Sequence, residues 1–357
     1  MVITFLIGNG FDLNLGLNTQ YTDFYNYYFT LDSAKDDMLV KQIKSNYENW
    51  ADLEMGLAKL ASNLKSNQIE EFLQSKERME DALIEYLRRQ ENRIEFSEEL
   101  SAESFKSSVV SFYNILNTQW QEEYQNLRRS LKESITYQFV NFNYTNTLDR
   151  LVTLCKNKYK PLSNRVIAQT TYPDTIREPL HIHGTLKDNL ILGIDSVDQI
   201  NNFENRNNPE LSAYLVKSNI NKALGEKRME RFCNMIDKSR YLFLYGLSWG
   251  DSDQTWWKYI INWLSKNPNN RLILCAYAKG VVPISASKKL RIADKKRSFF
   301  VKQGLGDEDV YQQIEDRIQV IINPNIFSLD GTHTHAETKP SNTNVVTLSE
   351  KELVGAM

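Results

Sequence analysis

Four short segments of the sequence place small or polar residues that could perform chemistry at the end of a predicted strand. The first, residues 7–12, places a Gly-x-Gly turn directly after an apolar run, and the predicted cofactor-binding residues of this turn are Gly8, Asn9, Gly10 and Phe11. Backbone amides in such a turn can approach a phosphate, helped by the partial positive charge of the helix that follows. Leu13 stands where the full dinucleotide pattern has a third glycine. A tight strand-to-helix turn with no ligand explains the segment as well.

The second segment carries two asparagines at the end of an apolar run. Asn141 and Asn143 are two residues apart, so in a strand they point the same way. A neutral amide both donates and accepts hydrogen bonds, so either residue could hold a sugar hydroxyl or a water. The alternative is structural, because Asn143 or Thr145 could cap a helix that begins near Asn146.

The third segment contains two of the four histidines, His181 and His183, again two residues apart. Histidine is the natural general base near neutral pH. Two imidazoles that project together could instead ligate a metal, but no third or fourth ligand is evident and we expect no metal. His183 precedes a glycine and is the stronger candidate for catalysis, whereas His181 suits a structural role.

The fourth segment, residues 244–253, contains Gly246, Ser248, Asp251 and Asp253. Its Gly-x-Ser-x-Gly pattern between a predicted strand and a predicted helix matches the context of a nucleophile elbow. The catalytic histidine of such an enzyme follows the serine in the chain, and here only His333 and His335 do. The segment therefore predicts either a Ser248 esterase or a glycine-rich turn that lines a nucleotide pocket.

The elements that position these segments are short apolar strands alternating with helical patterns, typical of a parallel sheet covered by helices. The predicted strands are residues 2–7, 137–142, 165–169, 190–194, 241–247, 271–277 and 318–322. Ligands bind at the carboxyl edge of such sheets, where all four segments would meet. Apolar residues at helical spacing predict a helical insertion over residues 35–133. The expected domains are thus residues 1–34 with 134–328, the insertion, and a mobile tail over residues 329–357.

Composition excludes several classes of protein. The 357 residues are 41% hydrophobic, with a formal net charge of −2 and a pI of about 6.2, which argues against general binding to nucleic acid or to a membrane surface. Cys155, Cys233 and Cys275 are too few and too far apart for a disulfide framework. The first residues lack the basic leader of a signal peptide, and no run reaches the ~20 apolar residues that span a bilayer. We therefore expect a cytoplasmic protein.

Taken in order, these segments resemble the AbiH family of bacteriophage abortive-infection proteins. The series is Gly-Asn-Gly-Phe-Asp after the first strand, Trp-Ala-Asp-Leu-Glu at residues 50–54, Asn-Phe-Asn-Tyr-Thr, His-Ile-His-Gly and Gly-Leu-Ser-Trp-Gly-Asp-Ser-Asp. The resemblance extends from residue 3 to about residue 325. It implies a role in antiviral defence, silence in healthy cells, and activation by assembly into a homo-oligomer, by a phage-derived trigger or by a partner defence protein.

The family in turn is similar to the sirtuin-like NAD-cleaving domains of bacterial defence, which have a Rossmann-like fold. That similarity implies that Asn143 and His183 match the active-site asparagine and histidine, and that Gly246, Ser248 and Asp251 match a late turn of the pocket. Thr145 departs from the pattern, which usually has aspartate there, and Asp12 stands where serine is common. Both departures affect the predicted contacts to the ribose or nicotinamide.

The activity implied by this similarity is hydrolysis of NAD, as substrate, or of a related nucleotide at the N-glycosidic bond. Asn143 would position the ribose or the water, His183 would take a proton from it, and Asp12 would favour the developing cation. Asp251 and Asp253 would receive an adenosine ribose hydroxyl. The alternatives are a nucleotide sensor of the same fold without turnover, a Ser248 esterase, or a metal-dependent nuclease at His181 and His183. Glu54 is a weaker candidate, for which a surface salt bridge is the simpler interpretation.

Overall fold

The computed structural model describes residues 1–278, 285–305 and 312–336. Contacts between residues divide the chain into two compact units. The first unit comprises Met1–Leu17, Ile94–Ile191 and Asn221–Thr334, and the second comprises Asn18–Arg93, Leu192–Ile220 and the chain from His335. The main sheet and all four segments singled out in the sequence belong to the first unit.

The strands and helices have the following bounds. The strands are β1 (Val2–Ile7), β2 (Ile94–Phe96), β3 (Thr136–Asn141), β4 (Ser163–Ile167), β5 (Thr170–Ile176), β6 (Leu180–His181), β7 (Ser239–Tyr245), β8 (Arg271–Ala276), β9 (Ile318–Ile322) and β10 (Thr332–Thr334). The helices are α1 (Gly10–Asn14), α2 (Tyr21–Tyr28), α3 (Met38–Ser45), α4 (Leu53–Ala61), α5 (Ile69–Glu91), α6 (Glu98–Val110), α7 (Thr118–Ser130), α8 (Thr147–Lys158), α9 (Phe203–Arg206), α10 (Pro209–Leu215), α11 (Lys217–Ala223), α12 (Arg228–Asp237), α13 (Gln254–Lys266) and α14 (Ala286–Leu305).

Within the described residues, eight strands form the main sheet in the order β4-β5-β3-β1-β7-β8-β9, with β6 also paired to β3. All neighbouring pairs from β5 to β9 are parallel, and only β4 and β5 are antiparallel. The predicted α/β class with a mostly parallel sheet is therefore confirmed.

Helices cover both faces of the sheet. Because the side chains of successive residues point to opposite sides of a strand, each strand contributes side chains to both cores. In β1, Phe5 packs on one face with the helices α6, α7 and α8, while Leu6 packs on the other with α12, α13 and α14. The same alternation holds in β7 for Phe243 and Leu244. A continuous apolar run in the sequence is what a doubly covered strand requires.

Two strand predictions were wrong or incomplete. Residues 190–194 do not form a strand, and the segment makes only an isolated bridge between Ile194 and Val216. The strand β5 was missed because its residues are mostly exposed and include Pro173, which lies in the part of β5 that pairs with β4 but not with β3. It forms a hairpin with β4 through Ala168 and Gln169, which both have positive φ (46° and 69°) without the usual Asn-Gly signal.

The second unit is helical and includes α2, α3, α4, α5, α9 and α10. Residues 94–130, which the sequence placed in the helical insertion, pack within the first unit instead. The short strand β10 pairs with β2, so residues 332–334 of the predicted mobile tail are held in a sheet; residues 337–357 lie outside the described residues. Nowhere in the described ranges is there a helix with the length and apolar character needed to cross a membrane.

Candidate functional site

The four chemistry-bearing segments meet at the carboxyl edge of the sheet, as their order predicted. The Phe142 amide donates to the Ile7 carbonyl (2.8 Å), and the Ile182 amide donates to the Asn141 carbonyl (3.2 Å). On the other side of β1, the Gly8 amide donates to the Tyr245 carbonyl (2.9 Å). The loops that follow β1, β3, β6 and β7 are thereby fixed beside one another.

The glycines of the first and fourth segments allow two turns to touch. A Cβ atom on Gly10 would lie 2.5 Å from Gly246 Cα, and one on Gly8 would lie 2.6 Å from the Gly246 carbonyl oxygen. Gly246 itself has φ of +70°, which glycine adopts without strain. The Gly10 amide donates to the Gly246 carbonyl (2.9 Å), and the Phe11 amide donates to the Gly8 carbonyl (2.9 Å). These amides serve the fold, so a phosphate at this turn, still a prediction, would compete with existing hydrogen bonds.

The two asparagines form a linked pair in which each amide is half satisfied. Asn141 Oδ1 accepts from the Asn143 backbone amide (3.0 Å), and Asn143 Nδ2 donates to the Gly8 carbonyl (3.2 Å). Because the Gly8 carbonyl can only accept, it fixes the orientation of the Asn143 amide. Within the described residues Asn141 Nδ2 is buried with no hydrogen-bond partner, and Asn143 Oδ1 accepts no hydrogen bond. The pair therefore offers one donor and one acceptor, as a hydroxyl or water requires.

Asp12 is almost fully buried, at 1% exposure, at the start of α1. The hydroxyl of Thr145, itself 2% exposed, donates to Asp12 Oδ2 at 2.5 Å. The Thr145 hydroxyl and the Asp12 carboxylate thus form one buried hydrogen-bonded unit.

His183 lies in an aromatic enclosure with a carboxylate at one end. Its Nε2 atom is 3.2 Å from Asp253 Oδ1, and the two side chains are 7% and 21% exposed. Its ring centroid lies 5.8 Å from that of Phe142, 6.3 Å from that of Trp256 and 6.4 Å from that of Tyr144. A histidine oriented by a carboxylate in an apolar enclosure is the arrangement of a general base and its orienting group.

His181 has the structural role that its sequence context suggested. Its Nδ1 atom contacts the Asn143 carbonyl oxygen (3.0 Å), and its Nε2 atom contacts Asp149 Oδ2 (2.9 Å). Both ring nitrogens are engaged, so neither is left to ligate a metal beside His183. This geometry removes the support for a metal-dependent nuclease at the histidine pair.

The geometry of the fourth segment differs from that of a nucleophile elbow. The elbow holds its serine in a strained turn, whereas here the residues with positive φ are Gly246 and Trp249 (70° and 57°) rather than Ser248. Ser248 is exposed, and its hydroxyl has no hydrogen-bond partner in the described ranges. Asp251 is exposed as well, and its predicted role in holding a ribose hydroxyl stays a prediction. Gly246 contacts the first turn.

Two other sets of residues complete the account of the sequence candidates. Glu54, expected on the surface, is buried in the second unit and pairs with Lys217 at 2.7 Å. The cysteines are free thiols, and burial raises the pKa of Cys155 to about 12 and that of Cys275 well above its usual value. Neither thiolate is therefore available as a nucleophile near neutral pH.

Sequence reasoning missed the enclosure around His183. Phe142 and Trp256 lie in apolar sequence patterns that predict only burial in the core. The sequence gives no sign that their rings contact His183. Asp149, the partner of His181, lies on α8 with no signal beyond its place in the first helical turn. Such contacts depend on how neighbouring elements pack and are not encoded in any local spacing.

Comparison with known protein families identifies a match that covers most of the chain. Residues 4–274 match the family model described as bacteriophage abortive infection AbiH. A comparison with curated proteins finds no significant match.

Proposed function

The chain belongs to the bacteriophage abortive infection AbiH family, and we propose that it acts as a defence effector that hydrolyses NAD or a related nucleotide at the N-glycosidic bond. Family membership itself implies the role in phage abortive infection. The hydrolytic activity is our inference from the site around Asn143 and His183, together with the similarity of its motifs to sirtuin-like NAD-cleaving domains.

The observation that carries the proposal is the pair of half-satisfied amides beside an oriented histidine. A buried donor without a partner, such as Asn141 Nδ2, costs about 1–3 kcal/mol. A ribose hydroxyl or an ordered water would supply both its acceptor and the donor that Asn143 Oδ1 lacks. Because this site lies where open parallel sheets bind nucleotides, a nucleoside is the ligand class that fits it best.

The chemistry follows from these positions. Breaking the bond between nicotinamide and ribose leaves positive charge on the ribose, and a water must attack that carbon. Asn143 would hold the water or a ribose hydroxyl, and His183 would accept the proton that the water loses. Asp253 would keep the imidazole oriented, and the Asp12 carboxylate would favour the cation. Water and NAD would give nicotinamide, ADP-ribose and one proton.

The direct test is to incubate the purified full-length protein with NAD and to quantify nicotinamide and ADP-ribose by chromatography. Asn143→Ala and His183→Ala should each lower nicotinamide release by about 10²–10⁴-fold. His333→Ala is the matched control, since His333 is exposed on β10, and its activity should equal that of the wild type. Each protein is assayed with and without lysate from phage-infected cells, because an effector of this class must stay silent until a trigger or an assembly step activates it.

Further arms of the same experiment separate the alternatives. A chelator should leave nicotinamide release unchanged, whereas its loss with the chelator would favour a metal-dependent hydrolase, and its complete loss in Ser248→Ala would favour a serine hydrolase. No release with any lysate, combined with a melting temperature raised by NAD, would overturn hydrolysis in favour of nucleotide sensing. Phage plating on cells that express the chain tests the defence role separately.

A further inference from the structure

A cavity of about 630 Å³ lies at the amino edge of the sheet, opposite the candidate functional site. It is lined near the beginnings of β1 and β7 by Val2 and Ser239, and on another side by Leu127 and Leu131. Its volume is within the range of small-molecule sites, about 300–1,000 Å³. None of the residues assigned above to the candidate site lines this cavity.

The charges that line the cavity are unbalanced. Lys238, Arg240 and Lys266 all line it, and none of them has an ion pair within the described part of the chain. The lining also contains the Met1 amino group, which is 3.0 Å from Glu133, and Asp237, which accepts a hydrogen bond from the Tyr259 hydroxyl (2.9 Å). The cavity is therefore lined by four cationic groups and two carboxylates, an excess of positive charge that a bound anion would offset.

Arg240 supplies the observation that points to a ligand. Its Nε atom is buried and has no hydrogen-bond partner in the described residues. Guanidinium nitrogens bind phosphate and carboxylate oxygens strongly. Because Arg240 lines the cavity, an anion there would contact the terminal nitrogens of the same guanidinium and offset the charges of Arg240, Lys238 and Lys266 together.

The nearby ends of two helices explain only in part why Lys238 and Lys266 occupy these positions. Lys238 follows α12 and Lys266 ends α13, where cations are favourable because helix carbonyls carry partial negative charge. However, the Asn267 carbonyl just beyond α13 already accepts from Arg317 Nη1 (2.8 Å), and the Trp263 carbonyl accepts from Asn270 Nδ2 (2.9 Å). Arg240 lies within β7, so helix charge does not account for it.

We propose that this cavity binds a phosphate-bearing small molecule, with the phosphate between Arg240, Lys238 and Lys266. The apolar side chains of Leu127 and Leu131 would contact the remainder of the ligand. Since β1 has six residues and a strand rises about 3.3 Å per residue, the cavity and the carboxyl-edge site are roughly 20 Å apart. The cavity is thus a second binding site, independent of the activity proposed above.

The test uses ADP as the probe and isothermal titration calorimetry of the full-length protein. Arg240→Gln and the double variant Lys238→Gln/Lys266→Gln should each weaken ADP binding about tenfold or more. Both lysines are exposed, so the double variant is expected to fold even if Arg240→Gln does not. Lys258→Gln, which removes an exposed charge of α13 away from the cavity, should bind like the wild type.

Because ADP is also part of NAD, Asn143→Ala is titrated in parallel and should retain the cavity site. The proposal is overturned if millimolar ADP shows no saturable binding, or if Lys258→Gln weakens binding as much as the lysine double variant. It is also overturned if binding is lost with Asn143→Ala and retained in the cavity variants. Failure of NAD hydrolysis would leave this result unchanged, so the two proposals are tested separately.

Discussion

The hydrogen bond from Thr145 to Asp12 allows a quantitative prediction about the stability of the first unit. Thr145→Val replaces the hydroxyl with a methyl group of similar size, so it opens no cavity and removes only the donor. The bond is 2.5 Å long, with residues 2% and 1% exposed. A hydrogen bond to a charged group contributes about 1.5–3 kcal/mol. We expect Thr145→Val to lower the free energy of unfolding by about 2 kcal/mol, or roughly 30-fold in the equilibrium constant.

The assay is urea unfolding followed by tryptophan fluorescence. All the tryptophans except Trp50 belong to the first unit, so the signal reports mainly on the unit that contains the bond. Thr145→Ser keeps the donor and should lose only about 1 kcal/mol for the missing methyl group. Thr136→Val removes a hydroxyl whose bond to Thr175 is exposed, and it should change stability by less than about 0.5 kcal/mol.

A double-mutant cycle with Asp12→Asn measures the coupling directly. A coupling energy of about 1 kcal/mol or more is expected, because both residues act through one bond. If Thr145→Val unfolds like the wild type, or if the two substitutions are additive, then Thr145 does not hold the Asp12 carboxylate and the role assigned to this hydrogen bond is refuted.

Two further predictions concern buried charges of the second unit. Burial raises the pKa of Glu80 above 4.5, with Lys76 offsetting part of the rise, so its contribution to stability is full below the unfolded pKa and is lost as the pH rises through the folded pKa. Glu80→Gln should therefore flatten the decline in unfolding free energy above pH 4.5, and parallel pH profiles for the two proteins would contradict this. Glu54→Gln removes the carboxylate 2.7 Å from the buried Lys217 ammonium, while Asp195 stays 3.9 Å away, and it should cost about 1–3 kcal/mol in urea unfolding. Glu71→Gln, at an exposed position of α5, should change it little, and an equal loss in both variants would argue against the buried pair.

The sequence predicted the sheet wherever a strand is buried on both faces. The bounds of β1 and β9 agree with their predicted ranges because their apolar runs end at turns or polar residues. It failed at residues 190–194, where an equally apolar run is buried without a strand partner. A short buried segment is apolar whether or not it pairs as a strand. Hydrophobic periodicity therefore cannot distinguish a buried strand from a buried loop of this length.

The candidate site shows the same limit. The i and i+2 spacing predicted that Asn141 and Asn143 act together, and a hydrogen bond links them at 3.0 Å. The same spacing also suggested a shared role for His181 and His183, yet their rings contact different carboxylates, Asp149 and Asp253. His183 lies beyond the end of β6, where the alternation of a strand no longer determines the side-chain direction.

The sheet order has a consequence for how the protein is made. The strand β1 lies at the centre of the sheet, yet its partners begin only at Thr136 and Ser239. The β1 segment therefore has no sheet neighbour until β3 has been synthesised, and it lacks its second neighbour until β7 follows, after about two thirds of the chain. Pairings this distant in sequence fold slowly and invite chaperone binding. Asp253 is synthesised later still, so a truncated translation product that ends before it lacks the carboxylate that contacts His183.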